Sequence, residues 1–163
     1  MLISKQLNDT INAQIGNELG ASMQYLQIAS YFEGESLPNL AKFFFLQAEE
    51  ENEHAMKFLH FLLEVGAEVK IPTIQQPKSK FGSAEECVKD ALAWEVEVTK
   101  QIYNLVDIAV KDKDYISQRF LDYYVSEQLE EISSMETLLA MVQRAGDSNL
   151  FQLDGRVLEL REE

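Results

Sequence analysis

The stretch that decides the fold is Glu49-Glu50-Glu51-Asn52-Glu53-His54, a run of carboxylates that ends in one of only two histidines. It lies in a segment whose apolar residues recur every three or four positions, which is the period of an α-helix. The residues of this stripe are Leu40, Phe44, Gln47, Glu51, His54, Phe58, Phe61 and Val65. Glu51 and His54 therefore lie on the buried face, one turn apart, where both can reach one metal ion.

A single Glu-x-x-His pair is a weak indication of a metal site, because glutamate is abundant in this chain. On its own, a solvated acidic face that happens to contain a histidine is the better interpretation. The choice depends on whether other helices bring acids to the same place.

Composition limits the class of protein. The 163 residues, 46% of them hydrophobic, suit one domain over residues 1–163 with a proper core. The single cysteine, Cys87, excludes an internal disulfide framework or a four-cysteine metal site and fits a reducing compartment. Neither a signal peptide nor an apolar run of about 20 residues is present, so we expect a soluble, cytoplasmic protein that spans no membrane.

The charge of the chain is strongly acidic, with a net value of −14. Such a charge repels nucleic acid and anionic membranes and raises the local concentration of cations. A simple role in solubility explains the charge equally well, so we expect no nucleic-acid partner and draw no function from charge alone.

Four long helices are predicted from the apolar period and from start and stop signals. Ser4 and Ser36 are predicted N-caps, Pro38 fits the first turn of the second helix, and Ser83 with Glu86 forms a capping box for the third. The predicted ranges are 4–33, 37–65, 83–111 and 115–145.

The connections predict an all-α four-helix bundle over residues 4–145. Residues 66–82, punctuated by Pro72 and Pro77, can extend to about 56 Å at about 3.3 Å per residue, enough for one long crossover between helices two and three. A short fifth helix is expected at about 148–160, with one apolar side formed by Leu150, Leu153, Val157 and Leu160.

Each long helix carries one glutamate on its apolar stripe, at positions 18, 51, 95 and 131. Each acid lies within about two residues of its helix midpoint. Measured along the axis of the bundle, the four carboxylates should therefore lie within roughly 3 Å of one level. A buried carboxylate costs several kcal/mol unless it is compensated, and none of the stripes contains Lys or Arg. The buried charge must then be compensated by protonation, by water or by metal, and two divalent cations would balance the charge of four carboxylates. Oxygen ligands with one imidazole suit iron or manganese better than a structural zinc site.

This pattern resembles bacterial non-haem ferritins over essentially the whole chain. The residues that carry the resemblance are Glu18, Glu51-x-x-His54, Glu95 and the segment Tyr-Val-Ser-Glu-Gln-Leu-Glu-Glu at 124–131. The resemblance implies that the predicted bundle is a ferritin-like four-helix bundle and that it assembles into a hollow cage of 24 subunits.

It also implies the roles of the site residues. Glu18, Glu51 and His54 would form a first iron site, and Glu51 would bridge to a second site completed by Glu95 and Glu131. Gln128 would lie alongside, and Tyr25 next to the centre. Tyr25 could donate an electron or a hydrogen bond to bound oxygen. An equal alternative is a structural role, in which the ring of Tyr25 packs in the core and its hydroxyl is hydrogen-bonded within the protein.

We expect no haem. Bacterioferritins, the haem-carrying relatives, have a second Glu-x-x-His on the fourth helix, whereas Glu127 here is followed three residues later by Glu130. Their haem-ligating methionine would align with Asn52, which offers no thioether.

The function expected from these features is iron storage with ferroxidase activity, in which dioxygen or hydrogen peroxide oxidises Fe(II). A di-iron oxidase or peroxide-reducing protein without storage is the first alternative, and a non-catalytic helical interaction protein is the second. A further iron site is expected where Glu50, Glu127 and Glu130 flank Glu131 on one surface, which the resemblance places on the cage cavity. The alternative there is a solvated acidic edge.

Overall fold

The computed structural model describes residues 2–161, with side chains described as far as Glu159. Its α-helices are α1 (Lys5–Gly34), α2 (Pro38–Glu64), α3 (Ala84–Lys111), α4 (Tyr115–Ala145) and α5 (Leu150–Asp154). Within that described range there is no β-strand, and no helix is long and apolar enough to cross a bilayer. The predicted all-α class is therefore confirmed.

Two of the three predicted serine caps are present. The hydroxyl of Ser4 accepts a hydrogen bond from the Leu7 N–H at 3.2 Å, and that of Ser83 accepts one from the Glu86 N–H at 3.1 Å. The prediction for Ser36 is wrong. Ser36 has a φ of +60°, in the left-handed region, and the N-cap of α2 is Leu37, whose side chain makes no capping bond.

A distant carboxylate takes the place of the missing cap. Asp154, at the end of α5, accepts hydrogen bonds from the Leu40 N–H at 2.7 Å and from the Asn39 N–H at 3.3 Å. A carboxylate at this position satisfies donors that a helix start leaves unpaired and complements the helix dipole. The tail is thereby attached to the start of α2.

The C-terminal helix is present but shorter than predicted. Only Leu150–Asp154 is α-helical, and two 3₁₀ turns, Asp147–Asn149 and Val157–Arg161, flank it. Leu153 and Val157 are buried as expected, whereas the side chain of Leu160 lies outside the described residues.

The directions of the helices require the predicted crossover. The tight turn after α1 makes α1 and α2 antiparallel. Helices α1 and α3 are antiparallel too, because the residue numbers of their bonded side chains rise along α1 and fall along α3. Asn17 bonds to Gln101, and Tyr25 bonds to Glu95. Since α2 and α3 therefore run in the same direction, residues 66–82 must cross the length of the bundle, and the crossover is confirmed.

Amide side chains of α1 hold the crossover by its backbone. Asn12 donates to the carbonyl of Glu68 at 2.8 Å and accepts from the Lys70 N–H at 2.5 Å. About three helical turns further along α1, Gln24 accepts from the N–H of Lys78 at 2.8 Å and donates to its carbonyl at 3.0 Å. These bonds satisfy backbone groups of a segment that has no secondary structure of its own.

The apolar core is divided into two clusters. One contains Tyr25, Phe32, Phe44, Val88 and Met135, and the other contains Ile11, Ile15, Phe58, Ile102 and Tyr124. On every long helix the stripe glutamate lies between the residues of one cluster and those of the other. The four glutamates, at 18, 51, 95 and 131, are at most 7% exposed. The fold thus places a layer of acids at the middle of the bundle.

Candidate metal centre

In the part of the chain that the structure describes, Glu18 of α1 and Glu51 and His54 of α2 form a compact group of potential metal ligands. Each offers one ligand atom, these atoms lie within 4.8 Å of one another, and all three residues are buried. The one-turn spacing of Glu51 and His54 places the imidazole Nδ1 3.5 Å from Glu51 Oε2. A carboxylate from a second helix therefore faces a carboxylate and an imidazole from one face of α2.

The carboxylate of Glu18 is incompletely satisfied. Its Oε1 accepts a hydrogen bond from Gln14 Nε2 at 2.9 Å, whereas its Oε2 is buried and has no hydrogen-bond partner among the described residues. Burial, and then the charge of Glu51, raise the pKa of Glu18 well above its usual value. A proton or a cation at Oε2 would remove this cost, so the group fits a metal ion.

His54 is held by neighbours on α4. Its Nε2 lies 3.4 Å from Oε2 of Glu127, and its backbone carbonyl accepts a hydrogen bond from the Tyr124 hydroxyl at 2.8 Å. Each ring nitrogen of His54 therefore faces a carboxylate, Nδ1 that of Glu51 and Nε2 that of Glu127. Glu127, expected at the further iron site, thus also contacts the first group.

Glu95 of α3 is held by two protein donors. The Tyr25 hydroxyl donates to its Oε1, and Gln128 Nε2 donates to its Oε2 at 3.3 Å and to its backbone carbonyl at 3.2 Å. Burial raises the pKa of Glu95, while the bonds from Tyr25 and Gln128 act in the opposite direction. The hydroxyl of Tyr25 is therefore satisfied inside the protein, as in the packed-aromatic alternative.

Glu131 of α4 has a similar environment. Gln47 Nε2 donates to its Oε2 at 2.7 Å. Burial, followed by the charge of Glu95, raises the pKa of Glu131 to about 8. The pKa of Glu51 is also raised, first by burial and then by the charge of Glu95. Glu51 therefore links the group containing Glu18 electrostatically to Glu95 and Glu131.

The acids of the expected further site line a cleft between α2 and α4. Its volume is about 560 Å³, and its lining includes Glu50, Glu127, Glu130 and Glu131 together with Ser133, Ser134 and Thr137. Glu131 is buried, Glu50 and Glu127 are half-buried and Glu130 is exposed. The structure thus brings the predicted residues to one cleft that adjoins the buried acids.

Sequence reasoning assigned no role to two glutamines of the centre, Gln14 and Gln47. Each precedes a stripe glutamate by four residues, and each is at most 3% exposed. For Gln14, which donates to Glu18 on its own helix, an amide one turn before a buried acid was the signal that could have identified it. Gln47 donates to Glu131 on another helix, which no local pattern reports.

Comparisons with known proteins agree with this architecture. The family described as ferritin-like domain matches residues 8–145. A bacterial non-heme ferritin of Staphylococcus aureus is 38% identical over 91% of this chain and 89% of its own length. Ferritin BfrB of Mycolicibacterium smegmatis is 40% identical over 88% of this chain and 79% of its own length.

Solved structures give the same result. An open pore ferritin from the hyperthermophilic archaeon Archaeoglobus fulgidus superposes with a TM-score of 0.92 at 33% identity, covering 95% of this chain and 97% of the other. A humanized archaeal ferritin superposes with a TM-score of 0.92 at 32% identity, covering 95% of each chain. In sequence and in fold alike, this chain belongs to the ferritin family and is similar to bacterial non-haem ferritins.

Proposed function

We propose that the protein stores iron and that it oxidises Fe(II) with dioxygen at the acid layer of the bundle. The observation that carries this proposal is the buried group of Glu18, Glu51 and His54, in which one carboxylate oxygen has no partner among the described residues. Membership of the ferritin family supports the same function.

The proposed reaction uses two ferrous ions as substrates. Glu18, Glu51 and His54 bind one, and Glu51, Glu95 and Glu131 bind the other, so that the charge of two ions balances four carboxylates. Each ion gives one electron to dioxygen, which takes up two protons and becomes hydrogen peroxide. Hard anionic oxygen ligands stabilise Fe(III) relative to Fe(II), and the protons that leave the carboxyls when metal binds couple binding to pH.

The remaining residues of the centre have supporting roles in this proposal. Gln128 orients Glu95, and Tyr25 donates a hydrogen bond to the same carboxylate. Glu50, Glu127 and Glu130, with a shared Glu131, take iron on its way between the two-iron centre and the mineral. The carboxylates of this cleft should bind Fe(III) more exchangeably than the group that contains His54.

The proposal includes the assembly. Storage requires a cavity that one bundle does not enclose, and we propose a cage of 24 identical subunits that holds the ferric mineral. The free, buried Cys87 is compatible with a reducing, cytoplasmic environment. Neither haem, nucleic acid nor membrane has a part in the proposed function.

Three measurements on the purified protein test this proposal. Anaerobic titration should show saturable binding of Fe(II), and admission of dioxygen should then give oxygen uptake. Size exclusion should give a particle of the size of a cage, and this particle should carry an iron core. Saturable binding with a dimer and no iron core would instead favour a di-iron oxidase or a peroxide-reducing protein. An absence of saturable binding would leave a helical protein whose acids are protonated or hydrated.

A further inference from the structure

Two consecutive tyrosines of α4 pack against His54. The ring centroids of Tyr124 and Tyr123 lie 5.7 Å and 6.1 Å from that of the imidazole, and both contacts are edge-to-face. The Tyr124 hydroxyl donates to the backbone carbonyl of His54 at 2.8 Å. Tyr124 is buried, whereas Tyr123 is 37% exposed. Packing and a backbone hydrogen bond thus explain Tyr124, but they do not explain the hydroxyl of Tyr123.

The hydroxyl of Tyr123 lies between a cation and an acid. Nζ of Lys57, on α2, donates to it at 2.5 Å and lies 4.0 Å from the centroid of the Tyr123 ring. Because an ammonium group only donates, the hydroxyl accepts this bond and keeps its own hydrogen for another partner. Burial raises the pKa of Tyr123, and so do the charge of Glu127 and a hydrogen bond to it. The hydroxyl therefore donates to Glu127, one turn further along α4.

Glu127 connects this pair to His54. Its Oε2 lies 3.4 Å from Nε2 of the imidazole. The side chain is half-buried and also lines the cleft between α2 and α4, so that it can turn toward either place. Fixing a glutamate in one rotamer costs conformational entropy, which a hydrogen bond from Tyr123 offsets. The contacts thus run from Lys57 at the surface through Tyr123 and Glu127 to His54.

A surface contact between Lys57 and Tyr123 would not by itself indicate a function. A lysine over an exposed aromatic ring is only weakly stabilising. Here, however, the hydroxyl is directed to an acid that contacts a proposed metal ligand. Outer partners orient the ring of a metal-binding histidine, and their loss typically lowers metal affinity about 10–100-fold. The geometry therefore gives Tyr123 a task in metal binding.

We propose that Tyr123 is a positioning residue for the metal centre. Its hydroxyl keeps the carboxylate of Glu127 against His54, and thereby keeps the imidazole in place for a metal ion. Lys57 holds Tyr123 in the position that this requires. The inference rests on the proposed function only in taking His54 as a metal ligand. It gives Glu127 a task at the histidine in addition to the one in the cleft.

The test measures the equilibrium affinity of the assembled full-length protein for the first equivalent of Co(II), by calorimetric titration at constant pH. Tyr123→Phe keeps the ring and removes the hydroxyl, so it should weaken binding about fivefold, the effect of one ordinary hydrogen bond. Glu127→Ala removes the direct neighbour of His54 and should weaken binding about tenfold or more. Glu130→Ala removes an equal charge from the same cleft and should keep the wild-type affinity.

A double variant separates positioning from a general structural role. If Tyr123 acts through Glu127, Tyr123→Phe should have no further effect once Glu127 is replaced by alanine, because residues of one hydrogen-bonded chain are not additive. A general structural role would weaken binding by the same factor in both backgrounds. That result, or wild-type affinity in Tyr123→Phe, would overturn the proposal.

The part of Lys57 is tested by Lys57→Met, which keeps the length of the side chain and removes its charge. Loss of a positive charge alone favours a bound cation, so weaker binding than in the wild type reports the loss of positioning. Tighter binding would overturn the task assigned to Lys57. Lys42→Met, an exposed change on the same helix, measures the effect of charge, and Tyr115→Phe, 75% exposed on α4, should bind as the wild type does.

Failure of this inference and failure of the proposed function give different results. A wild type without saturable binding of Co(II) would contradict the proposed function itself. Saturable binding that does not depend on Tyr123 would contradict only the inference.

Discussion

Glu18 and Glu131 are buried carboxylates of the same acid layer, but their surroundings differ. One oxygen of Glu18 has no hydrogen-bond partner among the described residues, and its neighbours Glu51 and His54 come within reach of a common ion. Glu131 accepts from Gln47, and its neighbour Glu95 accepts from both Tyr25 and Gln128. We refer to Glu18, Glu51 and His54 as the histidine half of the centre, and to Glu95 and Glu131 as the amide half.

The difference indicates how each half tolerates burial without metal. In the amide half, protein donors stabilise the carboxylates, so a metal ion must displace or share those hydrogen bonds. In the histidine half, a buried oxygen without a partner costs about 1–3 kcal/mol, and a cation that binds there removes this cost. The histidine half should therefore bind the first ion.

The largest effect is expected from Glu51→Ala, because Glu51 is the ligand that the proposed iron sites share. Fe(II) oxidation should fall on the order of 100-fold or more, since even outer residues of metal sites change affinity by 10–100-fold. Oxygen uptake measures the rate, and circular dichroism should show an unchanged helical content. The exposed Glu53→Ala on the same helix is the matched control. Wild-type oxidation in Glu51→Ala would refute the assignment.

The second prediction concerns the pH dependence of the metal-free protein. Burial raises the pKa of Glu131 from 4.5 to about 8, so the folded state binds its proton more tightly than the unfolded state between these values. The stabilisation is complete below about pH 4.5 and is lost as the pH rises through about 8. Thermal midpoints should therefore fall over this interval on the order of several degrees.

Two variants separate Glu131 from the general effect of negative charge. Glu131→Gln stays neutral at every pH, so its midpoint should fall less steeply than that of the wild type. Glu136→Gln, an exposed change on the same helix, should keep the wild-type slope. Parallel curves for wild type and Glu131→Gln would show that Glu131 does not carry the effect.

A smaller effect is expected from Tyr25→Phe. Loss of the hydroxyl leaves Glu95 Oε1 without its donor, which should cost about 1–3 kcal/mol in the metal-free protein. Zn(II) should reduce the difference from the wild type, because the metal then compensates the carboxylate. Thermal denaturation with and without Zn(II) measures this, with the exposed Tyr103→Phe as control. An equal loss in both conditions would mean that the hydroxyl serves the fold and not the site.

The smallest effect is expected from Glu130→Ala, which touches neither half. Binding of two ions should be unchanged, while the ratio of Fe to O₂ or the turnover after the first oxidation should change. Oxygen uptake over several additions of iron gives both quantities, and Glu136→Ala is the control. Identical multi-turnover behaviour in Glu130→Ala and wild type would favour the solvated acidic edge.

The sequence predicted those parts of the molecule that depend on helical period. Glu18, Glu51, Glu95 and Glu131 could be assigned to the interior because each replaces an apolar residue on a buried stripe, and the short turns set the helix directions. Individual hydrogen bonds between distant segments were not predictable in this way. Asp154 supplies the cap of α2 from 114 residues away, and no local pattern reports such a pairing.

The hydrogen-bond partners of each buried acid could not be predicted from local sequence patterns either. A glutamine such as Gln47 fits a helical stripe whether or not it meets a carboxylate, so the difference between the two halves became visible only in three dimensions. Gly16 is a similar case. A Cβ at this position would lie 2.3 Å from Cγ of Pro72, so the glycine is needed where the crossover passes α1.

The most direct test of the difference between the halves is a crystal structure of the protein loaded with one equivalent of Co(II) per chain. Anomalous scattering locates the ion without reference to its ligands. We predict that the ion lies between Glu18, Glu51 and His54, while Gln47 still donates to Glu131 and Tyr25 to Glu95. A first ion bound by Glu95 and Glu131, or one in the cleft between α2 and α4, would contradict this account.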